Sequence, residues 1–428
     1  MNGRGGRTMG RANRIRWAVA AATLVASLPA AASDWKLDVG VNGRETYTDN
    51  VTLSAANKQS DFITEVNPYI GVSRRGARFE ADLQYTMQNL FYADQSSRNR
   101  TNHRLGARAK SELYEDHLYV DANASISQQN TSLLGSVGNS TNATGNVSDV
   151  YSLSVSPYWR QRFGAAANFQ ARYSHSEFTS SASGLASSST DGVNATLTSG
   201  TAFKDILWGL DYSDQQTNYS GRSDVRLTTA SAMLGYAFTP RFRVNGTVGY
   251  DKNEYQSLGG EPPQGSFWNA GFAWTPSNRT SISAGLGERY TGKTYALAFD
   301  HRARKTTWHA GYSQATTTTS AQFASGNTQN TFDVLFNDSY FVSLFPDPIQ
   351  RAQEVLLFML TNNLPTEFST SLLSNNVFLN KRFDASVSYK TAKTVTTLSV
   401  FNSVRENLES ANVSALFVDA FNISNTLN

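Results

Sequence analysis

From residue 79 to residue 91 the chain alternates with a period of two. Phe79, Ala81, Leu83, Tyr85, Met87 and Phe91 share one face, and Arg78, Glu80, Asp82, Gln84, Thr86 and Gln88 share the other. A helix spreads apolar residues at a period of 3.6, so this pattern is a strand with one apolar and one polar face. It recurs along the chain. Trp35, Leu37, Val39 and Val41 alternate with Lys36, Asp38 and Asn42. Leu118, Val120, Ala122, Ala124 and Ile126 alternate with Tyr119, Asp121, Asn123 and Ser125. Phe242, Val244, Gly246, Val248 and Tyr250 oppose Arg243, Asn245, Thr247 and Asp251.

These strands are longer than the roughly 5–6 residues usual in soluble sheets, and they match the ~9–11 residues that a tilted strand needs to cross a bilayer. Their connections alternate too. Short turns fall near 74–76, 114–117, 160–164, 202–205, 239–241, 275–279, 302–305 and 391–393. Longer polar loops lie between them, as at 49–60, 93–103, 128–149, 177–191, 214–225 and 252–266. Short turns on one side and long loops on the other are expected of an all-β fold, a transmembrane antiparallel up-and-down β-barrel in an outer membrane. A lipid-facing sheet has to close, because hydrocarbon offers no partner for an unpaired backbone group.

Composition agrees. In 428 residues, 39% are hydrophobic, the mean hydropathy is −0.40, and one long apolar run occurs, at the N-terminus. A bundle of transmembrane helices is excluded. The absence of cysteine excludes disulfides, cysteine zinc ligands and cysteine catalysis. Residues 1–32 read as an export signal: Arg4, Arg7, Arg11, Arg14 and Arg16, then an apolar run over 17–28, then Ala30, Ala31 and Ala32. Five of the 37 basic residues lie there, so the remainder carries 32 against 34 acidic residues, too even a balance for a nucleic-acid surface. The mature chain, 33–428, is expected in the bacterial outer membrane, in contact with its lipid.

Seventeen strands can be counted between residues 35 and 403. Bacterial single-chain barrels use an even number, and residues 424–428 are polar with no terminal aromatic strand. The barrel is therefore expected to lack C-terminal strands. Pro68 and Pro157 read as strand ends, just before short turns, because proline lacks the N–H that a ladder needs. Residues 315–376 interrupt the alternation. Asp347, Pro348 and Gln350 form a helix start, and Ile349, Ala352, Val355, Leu356, Met359 and Leu360 recur at helical spacing. This amphipathic helix is expected to plug or cap the barrel, or only to pack on its neighbours.

Several segments resemble a known family. Asp49-Asn50-Val51, the run from Ile63 to Pro68, the run from Tyr151 to Arg160, Gly287-Glu288-Arg289-Tyr290-Thr291-Gly292 and the run from Lys381 to Ser386 are similar to exosortase/PEP-CTERM-associated outer-membrane proteins. The resemblance covers most of the mature chain. It implies a porin-like barrel in bacteria that make exopolysaccharide, and it carries no catalytic residues.

The polar faces suggest the chemistry. Arg78, Glu80, Asp82, Arg104, Arg108, Lys110, Glu112, Arg172, Arg243, Asp251 and Arg289 fall on inward registers. Barrels of about 16–18 strands enclose an aqueous channel, so these residues are candidates for pore lining. Equally, opposite charges on adjacent strands can pair and merely fill the interior. The five histidines, with no cysteine, match no metal or catalytic motif, so no cofactor, metal site or enzymatic activity is expected. Two readings remain: a porin-like channel passing polar solutes or exopolysaccharide, and a structural or surface-binding barrel with a filled lumen. Nothing in the sequence fixes an oligomeric state.

Overall fold

The computed structural model describes residues 35–130, 141–142, 147–182, 185–255, 257, 263–319, 321, 376–391, 395–409 and 422–427. The export signal and the helix from Ile349 to Leu360 lie outside the described residues. Nine strands make up the first half: Trp35–Thr48 (β1), Asp61–Arg75 (β2), Phe79–Tyr92 (β3), Arg100–Tyr114 (β4), Leu118–Asn130 (β5), Val147–Phe163 (β6), Ala167–Ser180 (β7), Ser188–Ser199 (β8) and Ile206–Tyr219 (β9). Nine more follow: Val225–Thr239 (β10), Phe242–Glu254 (β11), Gln264–Ser277 (β12), Thr280–Arg289 (β13), Gly292–Arg302 (β14), Thr306–Thr317 (β15), Phe378–Lys390 (β16), Val395–Asn407 (β17) and Asn422–Leu427 (β18).

Each strand pairs antiparallel with the next in sequence, from β1–β2 through β17–β18. The seventeen expected strands are all present, and β18 adds an eighteenth in the polar stretch where the sequence shows no strand pattern. Among the described residues no pairing joins β18 to β1. The sheet nonetheless curls. Arg222, after β9, meets Glu409, after β17, at 2.6 Å. Eight strand spacings at about 4.8 Å would hold those positions about 38 Å apart in a flat sheet.

Strand pairing puts residues that face each other across a ladder on the same side of the sheet. Leu37, Val72, Leu83, Ala107, Ala124, Leu153 and their successors thus form one continuous apolar surface. That surface is exposed: Leu37 is 66%, Val41 68%, Leu234 64% and Val248 62% accessible. No water-soluble wall leaves so much contiguous apolar area uncovered. Hydrocarbon is the solvent it fits. At the turn end the band finishes in aromatics, with Trp159, Phe163, Phe238, Trp274 and Trp308 all exposed, the girdle expected where lipid meets water. Trp159 lies within stacking distance of the Tyr114 and His117 rings, at 6.2 and 5.2 Å between centroids.

The two ends of the sheet differ. Eight connections of two to six residues form one end, hereafter the turn end. Two of those turns require left-handed backbone, which Gly164 supplies at φ 55° and Asp116 at φ 60°, both residue types that tolerate it. The other end, the loop end, holds the long connections. Its exceptions are the five-residue link at 220–224 and the hairpin at 290–291, which stays paired through Arg289 and Gly292. Several strands run further toward the loop end than the alternation shows. β9 reaches Tyr219 and β4 begins at Arg100, because beyond the lipid both faces are polar and the period-two signal disappears while the ladder continues.

The structure corrects the reading of the two prolines. Pro68 and Pro157 lie inside β2 and β6. Pro68 pairs with Val41 of β1, but the β2–β3 ladder skips it; Pro157 pairs with Val120 of β5, but the β6–β7 ladder skips it. Each proline thus breaks the ladder on one side only, and the backbone before and after it keeps the strand in register.

If this apolar face meets lipid, Leu234→Arg should destabilise the vesicle-embedded barrel by about 2–4 kcal/mol in an unfolding titration, whereas Thr247→Arg on the inner face should cost far less.

Candidate functional site

The inner face is graded from end to end. Toward the loop end its residues are buried on strand after strand: Ile63 and Glu65 on β2, Gln88 and Leu90 on β3, Val150 on β6, Phe178 on β7, Thr217 on β9, Val225 on β10 and Phe267 on β12. Ile63, Leu90 and Tyr92 pack with Val51 of the first long loop, and Val150 packs with Phe178 and Leu185. Toward the turn end the inner face is open, with Lys36, Asp38, Arg75, Glu80, Lys110, Arg160, Arg162, Asp211, Arg243 and Asp300 exposed. Among the described residues the inner face is therefore covered toward the loop end and open toward the turn end.

The expected lining residues separate into groups. Arg78 does not belong: it lies in the turn before β3 and pairs with Glu115 of the next turn at 2.8 Å, both well exposed. Its alternation with Glu80 continues one residue past the strand start. Glu80 and Asp82 do face inward, and Arg75 reaches both, at 3.4 and 2.6 Å. Arg108 lies directly opposite Asp82, and Lys110 opposite both Glu80 and Asp121. Arg104 shares their face, opposite Thr86. Glu112 accepts from the Tyr119 hydroxyl at 3.4 Å and from the Asp116 backbone N–H at 2.5 Å. Charge here alternates in sign across adjacent strands, so much of it is internally compensated.

Arg243, Asp251 and Arg289 come together on a second sector. They line a cavity of about 690 Å³ against the inner face of β10 to β15, with Thr229, Asn245 and Asn269 among its walls. Asp251 is only 1% accessible. It accepts from the Thr229 hydroxyl at 2.8 Å and from Arg289 at 3.2 and 3.3 Å. The Arg289 guanidinium also lies 3.9 Å from the Phe267 ring centroid. A charge this buried is tolerable only with such partners. Arg243 contributes positive charge to the same cavity from its exposed end.

Some lining residues the sequence did not single out. Tyr119 and Tyr158 stack at 5.1 Å on adjacent strands. Arg172 lies 3.9 Å over the Tyr158 ring and pairs with Asp121 at 2.8 Å, while Arg160 lies 5.1 and 5.2 Å from the two rings. Together they form an aromatic and cationic ledge in the open half of the lumen. The only advance signal was that Tyr119 and Tyr158 fall on inward registers; their contact depends on the β5–β6 pairing. Across the lumen, His309 is held by Asp300 at 2.8 Å and Asp384 at 2.9 Å. Both ring nitrogens are thereby committed to carboxylates, which leaves neither to activate a hydroxyl nucleophile.

At the loop end, connections from distant strands meet. Arg222 donates to Glu409, which is 2% accessible, and Ser257 bridges to the Glu409 backbone. Tyr255 and Tyr290 approach at 3.3 Å, and Tyr290 reaches Thr316 at 3.4 Å. Tyr92 donates to the Thr141 carbonyl and Arg100 to that of Asn142. Burial pushes the Tyr255 phenol well above its ordinary range, and its bond to Tyr290 adds to this.

The class that the fold defines, an all-β up-and-down sheet of the outer-membrane barrel type, stands on these strand lengths and faces. No family model matches the chain, and no curated protein matches it in sequence. Among solved structures it is similar to the FrpB iron transporter from Neisseria meningitidis, at 13% identity and a TM-score of 0.45, covering 92% of this chain and 66% of that one. It is also similar to the siderophore receptor PirA from Pseudomonas aeruginosa, at 8% identity and a TM-score of 0.40, covering 89% and 75% of the two chains. A third, an anion-selective porin from Comamonas acidovorans, gives 8% identity and a TM-score of 0.28 over 64% of this chain and 91% of that one.

Arg289→Ala would strand the Asp251 carboxylate in its buried position. It should destabilise the barrel by about 3–5 kcal/mol in a denaturant titration, and adding Asp251→Asn should restore much of the loss.

Proposed function

We propose that the chain is an outer-membrane, porin-like channel for small polar solutes, with its turn end in the periplasm and its loop end outside. The observation that carries this reading is the graded inner face, a polar and open vestibule at one end and a packed constriction at the other. Loop asymmetry supports the orientation. About eighteen strands is a size at which barrels enclose water. The mixed charge of the vestibule favours polar solutes of either sign over strong anion or cation selectivity. The resemblance to exosortase/PEP-CTERM-associated proteins supports a finer reading, in which the solute is exopolysaccharide or its fragments. The alternative is a structural or surface-binding barrel with a filled lumen. It is favoured by one specific feature, the internal compensation of Arg75, Glu80, Asp82, Arg108 and Lys110.

Single-channel recording in a planar bilayer, on protein extracted from the native outer membrane, separates the two. The channel reading expects discrete, salt-dependent steps. A folded barrel that stays silent would favour the filled one.

The contact at Glu409 adds a pH dependence. Burial holds its carboxyl above the ordinary glutamate range, opposed by the Arg222 guanidinium and the Val377 backbone. A raised value in the folded state means that folding favours the protonated form. This contribution to loop packing is therefore fully present below the ordinary glutamate range and is lost as pH rises through the raised value. Conductance steps should accordingly grow as pH rises from the ordinary glutamate range, about 4.3, through the raised value. Glu409→Gln, neutral throughout, should flatten that rise.

A further inference from the structure

Three consecutive turns at the turn end build a basic crown. Arg241 lies between β10 and β11, Arg279 between β12 and β13, and Arg302 closes β14; all three are exposed. Backbone bonds lace the turns together: Thr275 N–H donates to the Arg241 carbonyl and Arg302 N–H to the Arg279 carbonyl, both at 2.7 Å. The spacing of the arginines is thus fixed by the ladder and not by flexible loops. They line a cavity of about 610 Å³ together with His301, Thr280 and Thr275. His301 is itself positioned there by a 2.9 Å bond between its Nδ1 and the Thr280 hydroxyl.

Two further facts define the ligand. The first is charge. The acid lining this cavity, Asp300, is hydrogen-bonded to His309. Among the described residues no carboxylate lies within ion-pair distance of Arg241, Arg279 or Arg302. The Arg241 guanidinium donates to the Pro276 carbonyl, at 3.2 Å. The second is depth. His301 lies directly opposite Trp308 across the β14–β15 ladder, and Trp274 opposite Phe242 across β11–β12. Trp308 and Trp274 are exposed on the lipid face, so the cavity opens at the level of the aromatic girdle, where headgroups lie.

We propose that this crown is a binding site for an anionic phospholipid of the inner leaflet. The arginines and backbone-fixed hydroxyls would receive the phosphate, and the exposed Phe238, Trp274 and Trp308 would flank the acyl chains. Guanidinium groups suit this task because their planar donors match phosphate oxygens and they shed water at lower cost than an ammonium does. The proposal rests on the outer-membrane reading.

The test uses the whole barrel in nanodiscs of phosphatidylcholine doped with phosphatidylglycerol, transferred to mild detergent. Lipid retained on the protein is then counted by native mass spectrometry. The wild type should retain phosphatidylglycerol over phosphatidylcholine by on the order of tenfold or more. The triple variant R241Q/R279Q/R302Q should lose that preference. R78Q/R162Q/K204Q, which removes equal charge elsewhere on the same rim, should keep it. Retention by the first triple variant, or equal loss from both, would overturn the site while leaving the barrel intact. A wild-type protein that fails to enter nanodiscs would instead sink the membrane reading, and this site with it. Preference abolished by millimolar inorganic phosphate with no lipid retained would assign the crown to a free anion and overturn the lipid site.

Discussion

The backbone ladder is the constraint on which everything else depends. In hydrocarbon no water is available to an unpaired N–H or C=O, so each strand must find both of its neighbours. A meander meets this demand with the least chain, because every strand is paired to the one just before and the one just after. The tolerance of the ladder is visible at Pro68 and Pro157. Each removes one donor toward one neighbour, and the ladder to the other neighbour continues through the same residue. Strand length follows from bilayer thickness, and the alternation of faces follows from strand geometry. Once the ladder is set, the side chains have only two destinations, lipid or lumen.

This explains why so much of the fold was legible in the sequence and so little of the site. Alternation over ten or more residues, as from Phe79 to Phe91, is a local signal. It survives without knowing which strand lies beside which. The contacts that give the lumen its character depend on register between strands far apart in the chain. His309 and Asp384 are 75 residues apart, and Arg222 and Glu409 are 187 apart. No spacing rule in the sequence brings them together. Arg78 shows the opposite failure, a local pattern carried one residue past the strand into a turn. β18 shows a third, since residues 422–427 pair by backbone with β17 and have no alternation to announce it.

The taper of the lumen, by contrast, has a sequence cause that becomes clear only when inward registers are aligned. Toward the turn end these registers carry Lys36, Asp38, Glu80, Lys110, Arg243 and Asp300. Toward the loop end they carry Ile63, Leu90, Val150, Phe178, Val225 and Phe267. An apolar side chain aimed into a water-filled tube gains nothing over one that is unfolded, so a run of them around the wall makes sense only where something covers it. Their near-zero accessibility is the structural counterpart of that argument. The apolar inner registers thus mark where the wall is covered, among buried polar residues such as Glu65, Gln88 and Thr217.

Charge within the vestibule is then constrained by the same geometry. An isolated guanidinium such as that of Arg289 beside Phe267 would be costly, and Asp251 and Thr229 compensate it across neighbouring strands. On the opposite sector, Arg75 pairs with Asp82, which also lies opposite Arg108, so part of the charge is compensated, while the Tyr119–Tyr158 pair places a flat, arginine-capped surface among them. A wall built this way pairs much of its charge internally. It still offers hydrogen-bonding groups and aromatic faces to a neutral polar solute.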